Sequence, residues 1–90
     1  MNKAQLIDRI AKETRLSKTS IEKTLNSAFT IIKDSVVEGD NVTLLGFGTF
    51  TISTRKERQG HNPHTGKKMT IPEITMPRFK PSKDFKDLLQ

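Results

Sequence analysis

Arg55-Lys56-Glu57-Arg58-Gln59-Gly60-His61-Asn62-Pro63-His64-Thr65-Gly66-Lys67-Lys68 is a polar, basic stretch around an Asn-Pro and a Gly, with strand-like sequence on both sides. It carries five Lys or Arg against one Glu and no large apolar residue. With nothing to place in a core, it reads as a hairpin projecting into solvent. A free two-stranded hairpin is only marginally stable in water and needs a reason to exist. A basic one on a small scaffold points to a negatively charged partner, and to DNA first.

Working outward, Val42 and Leu44 alternate with polar neighbours before Gly46-Phe47-Gly48, and Phe50 and Ile52 alternate after it. This predicts two strands joined by a glycine turn, the second running on into the basic stretch. The return strand takes in Met69, Ile71, Ile74, Met76 and Phe79. Its apolar parity changes across Pro72 and Glu73, which predicts a bulge or kink there. Pro72 and Pro77 lack a ladder donor and argue for an edge strand, which also protects the arm from pairing with other chains.

On the N-terminal side, Asn2 followed by Gln5 has the form of a capping box, and Leu6, Ile7, Ile10 and Ala11 follow at helical spacing. Leu16 before Ser17, with Ile21 beyond, fits a hydrophobic staple around a Ser N-cap. Ile21, Leu25, Ala28, Phe29, Ile32 and Val36 then mark one stripe, ended by Gly39. The link, about Thr14 to Leu16, is brief enough for a helical hairpin. At the other end Ser82 can cap a short helix whose Phe85, Leu88 and Leu89 share a face. The expected organisation is a single α+β domain over residues 1–90: a helical hairpin over 1–40, a sheet over 41–81 with its arm at about 53–76, and a C-terminal helix over 82–90.

Ninety residues bury a limited fraction of their chain surface, and lending a hairpin to solvent deepens the shortage. A second chain sharing the burial is the natural remedy, so an obligate dimer is expected. The formal charge of +6 favours nucleic acid or an anionic surface. Residues 1–40 hold seven basic and six acidic side chains, whereas residues 41–90 hold nine and four, so the second half reads as the binding surface. Zero Cys excludes disulfides, thiol nucleophiles and thiolate zinc sites. Neither the h-region of a signal peptide nor a membrane-spanning run is evident, so a soluble intracellular protein is the default expectation.

Gly46-Phe47-Gly48-Thr49-Phe50, then Gly60-His61-Asn62-Pro63-His64-Thr65-Gly66, then Ile71-Pro72 and Phe79-Lys80-Pro81-Ser82-Lys83 resemble the bacterial HU/IHF family of histone-like DNA-binding proteins, over the whole chain and in the family's spacing. The resemblance implies an intertwined dimer, with a three-stranded antiparallel sheet in each chain and two long arms embracing duplex DNA in the minor groove. It implies Pro63 as a wedge at each arm tip, and bending and compaction with no bond made or broken. Length and an ungapped arm with Gln59 before Gly60 are closer to HU than to IHF. That implies low sequence specificity, a homodimer or pairing with a related HU subunit, and a cytoplasmic, nucleoid-associated protein; an IHF-like subunit with a preferred site is the alternative. Three positions depart from the family pattern: His61 replaces the usual Arg, Ser53 occupies an often basic position, and Ser82 replaces the usual Gly.

The candidate DNA contacts are Arg55, Arg58, His61, Asn62, Pro63, His64, Thr65, Gly66, Lys67 and Lys68 in the arm, with Lys80, Lys83 and Lys86 around the last helix and Lys3 for flanking DNA. Solvated surface charge is the plain alternative for the bases, and a type I turn for Asn62-Pro63. Phe29, Phe47, Phe50 and Phe79 are assigned to the dimer core; Phe47, Phe50 and Phe79 fit packing better than base stacking. His61 and His64 stand three apart without carboxylate or Cys ligands nearby, so no metal is expected, and no cofactor. No catalytic constellation is present, which excludes an enzyme. A cationic dimer docking on an anionic membrane or polymer is the competing reading; it needs charge but not Pro63.

Overall fold

The Asn2 side-chain oxygen accepts from the Gln5 amide at 2.9 Å while the Gln5 side chain accepts from the Asn2 amide at 2.8 Å, closing the capping box that starts α1, Lys3–Thr14. This computed structural model describes all residues from 1 to 90. Arg15 ends α1 in the left-handed region at φ 60° and donates its amide to the Ala11 carbonyl at 2.8 Å. The Ser17 hydroxyl oxygen then accepts from the Ser20 amide at 3.2 Å to start α2, Lys18–Val37. Lys3 hydrogen-bonds Asn26, and Lys18 pairs with Asp8 at 2.8 Å. Contacts between residues 3 and 26 and between 8 and 18 require the helices to run antiparallel, as the predicted helical hairpin does.

Past Gly39, β1 (Val42–Leu44), β2 (Gly48–Arg55) and β5 (Ile74–Pro81) form a three-stranded antiparallel sheet in the order β1-β2-β5. Strands β3 (Arg58–His61) and β4 (Lys68–Ile71) form a separate two-stranded antiparallel ribbon, the arm. Ser82 caps the short α3, Lys83–Asp87, its hydroxyl oxygen accepting from the Phe85 amide at 3.2 Å. The chain divides into two compact units, residues 1–34 and 35–90. No helix is long and apolar enough to cross a membrane.

Of the bulge or kink expected at Pro72 and Glu73, the bulge is absent, and the ladder is instead interrupted at these residues. β2 and β5 pair down to Arg55 with Ile74, and β3 and β4 resume at Arg58 with Ile71. Two residues are skipped on each strand, Lys56-Glu57 on one and Pro72-Glu73 on the other. The register is therefore continuous, whereas a bulge would offset it by one. A paired break needs no extra residue: Pro72 cannot donate to a ladder, and both strands leave the pairing together. The change of apolar parity means that Met69 and Ile71 lie on the face opposite to the one Ile74 and Met76 would share in an unbroken ladder.

Only Ile7, Ile21 and Val36 are buried among the hydrophobic side chains. Exposed large hydrophobics are far more numerous and include Phe29, Phe47 and Phe79, at 41 %, 45 % and 36 % exposure. A single chain thus leaves much of its intended core open to water.

Candidate nucleic-acid interface

At the arm tip the Asn62 amide donates to the Lys67 carbonyl at 2.9 Å and the Gly66 amide donates to the Asn62 carbonyl at 2.8 Å. The Asn62 side chain accepts from the His64 amide at 2.8 Å, and the Thr65 hydroxyl oxygen accepts from the Lys67 amide at 3.3 Å. Gly66 closes the loop at φ 69°, a left-handed conformation that glycine takes without a Cβ penalty. The Asn62 carbonyl reaches Gly66, four residues on, so the hydrogen bonds close a loop of four residues, Pro63 to Gly66, at the tip. Pro63 sits exposed in this loop. Its ring is rigid, and it has no amide donor left unpaired.

Register assigns the arm residues to faces. His61 lies opposite Lys68 and Gln59 opposite Thr70, whereas Arg58 lies opposite Ile71 and Gly60 opposite Met69. A Cβ added at Gly60 would stand 2.8 Å from Ile71 Cδ1, so Ile71 leans across the space that the missing side chain leaves. The arm thus brings the candidates from Arg58 to Lys68 together in one hairpin, with Arg55 at the end of the strand that leads into it.

On the three-stranded sheet, Gly48 with Pro81, Phe50 with Phe79 and Ile52 with Pro77 share one face. Phe47, Phe50, Phe79 and Phe85 cluster there: ring centroids are 4.9 Å apart for Phe50 and Phe79, 5.1 Å for Phe47 and Phe79, and 5.5 Å for Phe47 and Phe85. These are favourable aromatic separations. The sequence pattern places Phe85 only on a face of α3; it joins the predicted trio because the Ser82 amide donates to the Phe47 carbonyl at 2.9 Å, holding α3 beside the turn. Phe29, the fourth predicted core aromatic, lies in the other unit on α2.

The opposite face pairs Thr49 with Lys80, Thr51 with Arg78, Ser53 with Met76 and Arg55 with Ile74. Arg55 and Lys80, predicted separately, share this face. Arg78 joins them and is absent from the sequence-based candidates. Strand parity is the signal that could have found it, since a residue two before Lys80 falls on the same side. Ser53, where the resemblance leads to the expectation of a base, has Arg78 as its diagonal neighbour across the strand pair. Lys83 and Lys86 are exposed on α3. Lys3 is in the N-terminal unit, its ammonium already hydrogen-bonded to Asn26.

All nine Lys and Arg side chains between residues 41 and 90 are exposed. None makes an ion pair, the one salt bridge being Lys18 with Asp8. Lys18 holds the Asp8 carboxyl below its ordinary value, first by hydrogen bonding and then by charge. No group of three or more His, Asp or Glu side chains is placed to hold a metal ion. Exposed cations without acidic partners are free to neutralise the phosphates of a nucleic acid.

The family model for bacterial DNA-binding proteins matches residues 1–90. HU-alpha from Escherichia coli is 47 % identical over 90 residues, covering all of both chains. HU-beta from Neisseria meningitidis is 44 % identical over 89 residues, covering 99 % of this chain and all of its own. Among solved structures, an Anabaena HU–DNA cocrystal superposes with a TM-score of 0.85 at 39 % identity, covering 99 % of this chain and 97 % of its own. HU from Thermotoga maritima superposes at 0.71 with 27 % identity over the full length of both. With the fold, the arm and the unpaired bases in place, the chain belongs to the HU-type bacterial DNA-binding protein family, whose members are dimeric, non-enzymatic, architectural binders of DNA.

Proposed function

We propose that two copies of this chain embrace duplex DNA in the minor groove with their arms, bend it by inserting Pro63 at each tip, and compact it with little regard for sequence. The observation that carries this reading is the arm itself: a two-stranded ribbon with unpaired bases along it and an exposed proline at its end. Wedge insertion unstacks a base step at a cost of roughly a few kcal/mol, a general figure for minor-groove binders that include HU and IHF, offset by the added contact that a bent duplex permits. Arg58, Lys67 and Lys68 lie along the ribbon and neutralise phosphates beside the groove. Asn62, His64, Thr65 and Gly66 shape the tip that carries the wedge. Phe29, Phe47, Phe50 and Phe79 are covered by the second copy. Contact with genomic DNA puts the protein in the cytoplasm, on the nucleoid.

Low specificity follows from the groove, whose donor and acceptor pattern is nearly the same for all A·T and for all G·C orientations, and from phosphate contacts, which position a protein without carrying sequence information. The test is energy transfer between dyes at the two ends of a short duplex, titrated at several salt concentrations with the native protein and with Pro63→Ala. Transfer should rise on binding, fall with salt, and be blunted severalfold in the variant. Binding without any end-to-end change would make the protein a basic docking module. A preference for one site that survives excess random DNA would make it a site-specific subunit of the IHF kind.

A further inference from the structure

We infer that Arg78 is a phosphate anchor on the sheet body, linking the charge of the arm to that of the C-terminal helix; this rests on the duplex-binding reading above. Register places Arg78 opposite Thr51, on the face shared with Lys80 and Arg55 and away from the aromatic cluster. Neither β2 nor β5 contains an acidic residue, so this face carries charge of one sign only. Arg78 is exposed and has no ion-pair partner.

Spacing makes the residue matter. The Arg55 row, at Ile74, lies six residues along β5 from Lys80, about 20 Å at the rise of a strand. Salt screens charges over about 8 Å at physiological ionic strength. A phosphate backbone crossing this face would therefore meet two isolated cations if Arg78 were absent. Arg78 stands two residues from Lys80, about 7 Å along the strand, inside the screening length. Together they form a paired cationic station between the arm and Lys83. Arg also brings a planar fork that can hold a phosphate through two hydrogen bonds. Opposite the two bases, the Thr51 hydroxyl donates to the Asn41 side-chain oxygen at 2.6 Å and the Thr49 hydroxyl to that of Thr43 at 3.3 Å, so the donors these rows offer a phosphate are those of Arg78 and Lys80.

The experiment compares the native protein with Arg78→Gln, Arg78→Lys and Arg58→Ala, measuring affinity for a dye-labelled duplex across a salt series and the thermal melt of each variant. Arg78→Gln should flatten the slope of log K against log salt by about 0.9 for each phosphate no longer neutralised, about 1.8 for two copies, with the melt unchanged. Arg78→Lys should keep most of the slope, because the charge remains. An unchanged slope in Arg78→Gln, with or without a lowered melt, overturns the inference; if Arg58→Ala still flattens the slope, the arm reading survives it. A native protein that does not bind duplex would overturn both.

Discussion

A Cβ built at Gly48 would lie 2.5 Å from the Lys80 carbonyl oxygen and 2.6 Å from the Phe79 ring. The backbone of β5 and an aromatic in the middle of the cluster are both poor at yielding. Gly48→Ala should therefore destabilise the fold by about 1–3 kcal/mol, the usual cost of overpacking, seen as a lower thermal midpoint. A midpoint equal to that of the native protein would mean that the sheet parts there at no cost. Asp8 shows a weaker effect of known sign. Its folded-state pKa is lowered from 3.8 by Lys18, so the stabilisation is present above the unfolded value and disappears as pH falls through the folded one. Both side chains are well exposed, and solvent screens the pair. The melting difference between the native protein and Asp8→Asn should be small near neutrality and vanish well below pH 3.8; a difference that grows with acid would contradict the assignment.

At the scale of elements, the arm is a ladder of four residue pairs separated from the main sheet by a paired two-residue break. Isolated two-stranded ribbons are marginal, so β3 and β4 belong to the part of the molecule that opens most readily. Their amides should exchange with solvent faster than those of β2 beside β5, and become protected when duplex is added. Arm amides that exchange as slowly as the sheet in free protein would show that the break does not uncouple them. Much of this organisation is legible in the sequence: the alternation of Val42, Leu44, Phe50 and Ile52, the glycine turn, the three helix N-caps at Asn2, Ser17 and Ser82, and the position of the arm. The continuous register is not, because a parity change in one strand has the same appearance whether one residue is added or two pairs are skipped. Only the partner strand distinguishes these cases.

At the scale of the whole molecule, the aromatic face is assembled but not covered. Phe47 and Phe79 remain 45 % and 36 % exposed in the single chain, and burial of aromatic area is among the strongest contributions to folding. Assembly of two copies therefore supplies stability as well as the second arm. The thermal midpoint should rise with protein concentration, as mass action requires when folding and association are coupled, and the species in solution should have twice the chain mass at all concentrations where it is folded. A concentration-independent midpoint would mean that one chain closes its own core.

The amino-acid sequence alone determined the elements, their order and the character of the partner. Caps, periodicity and turn residues act over a few neighbours, and net charge needs no fold to be counted. Tertiary structure decided which bases share a face, that Phe85 completes the aromatic cluster, and that the arm resumes in register after its break. These depend on strands and helices distant along the chain, whose pairing and close approach no local pattern specifies.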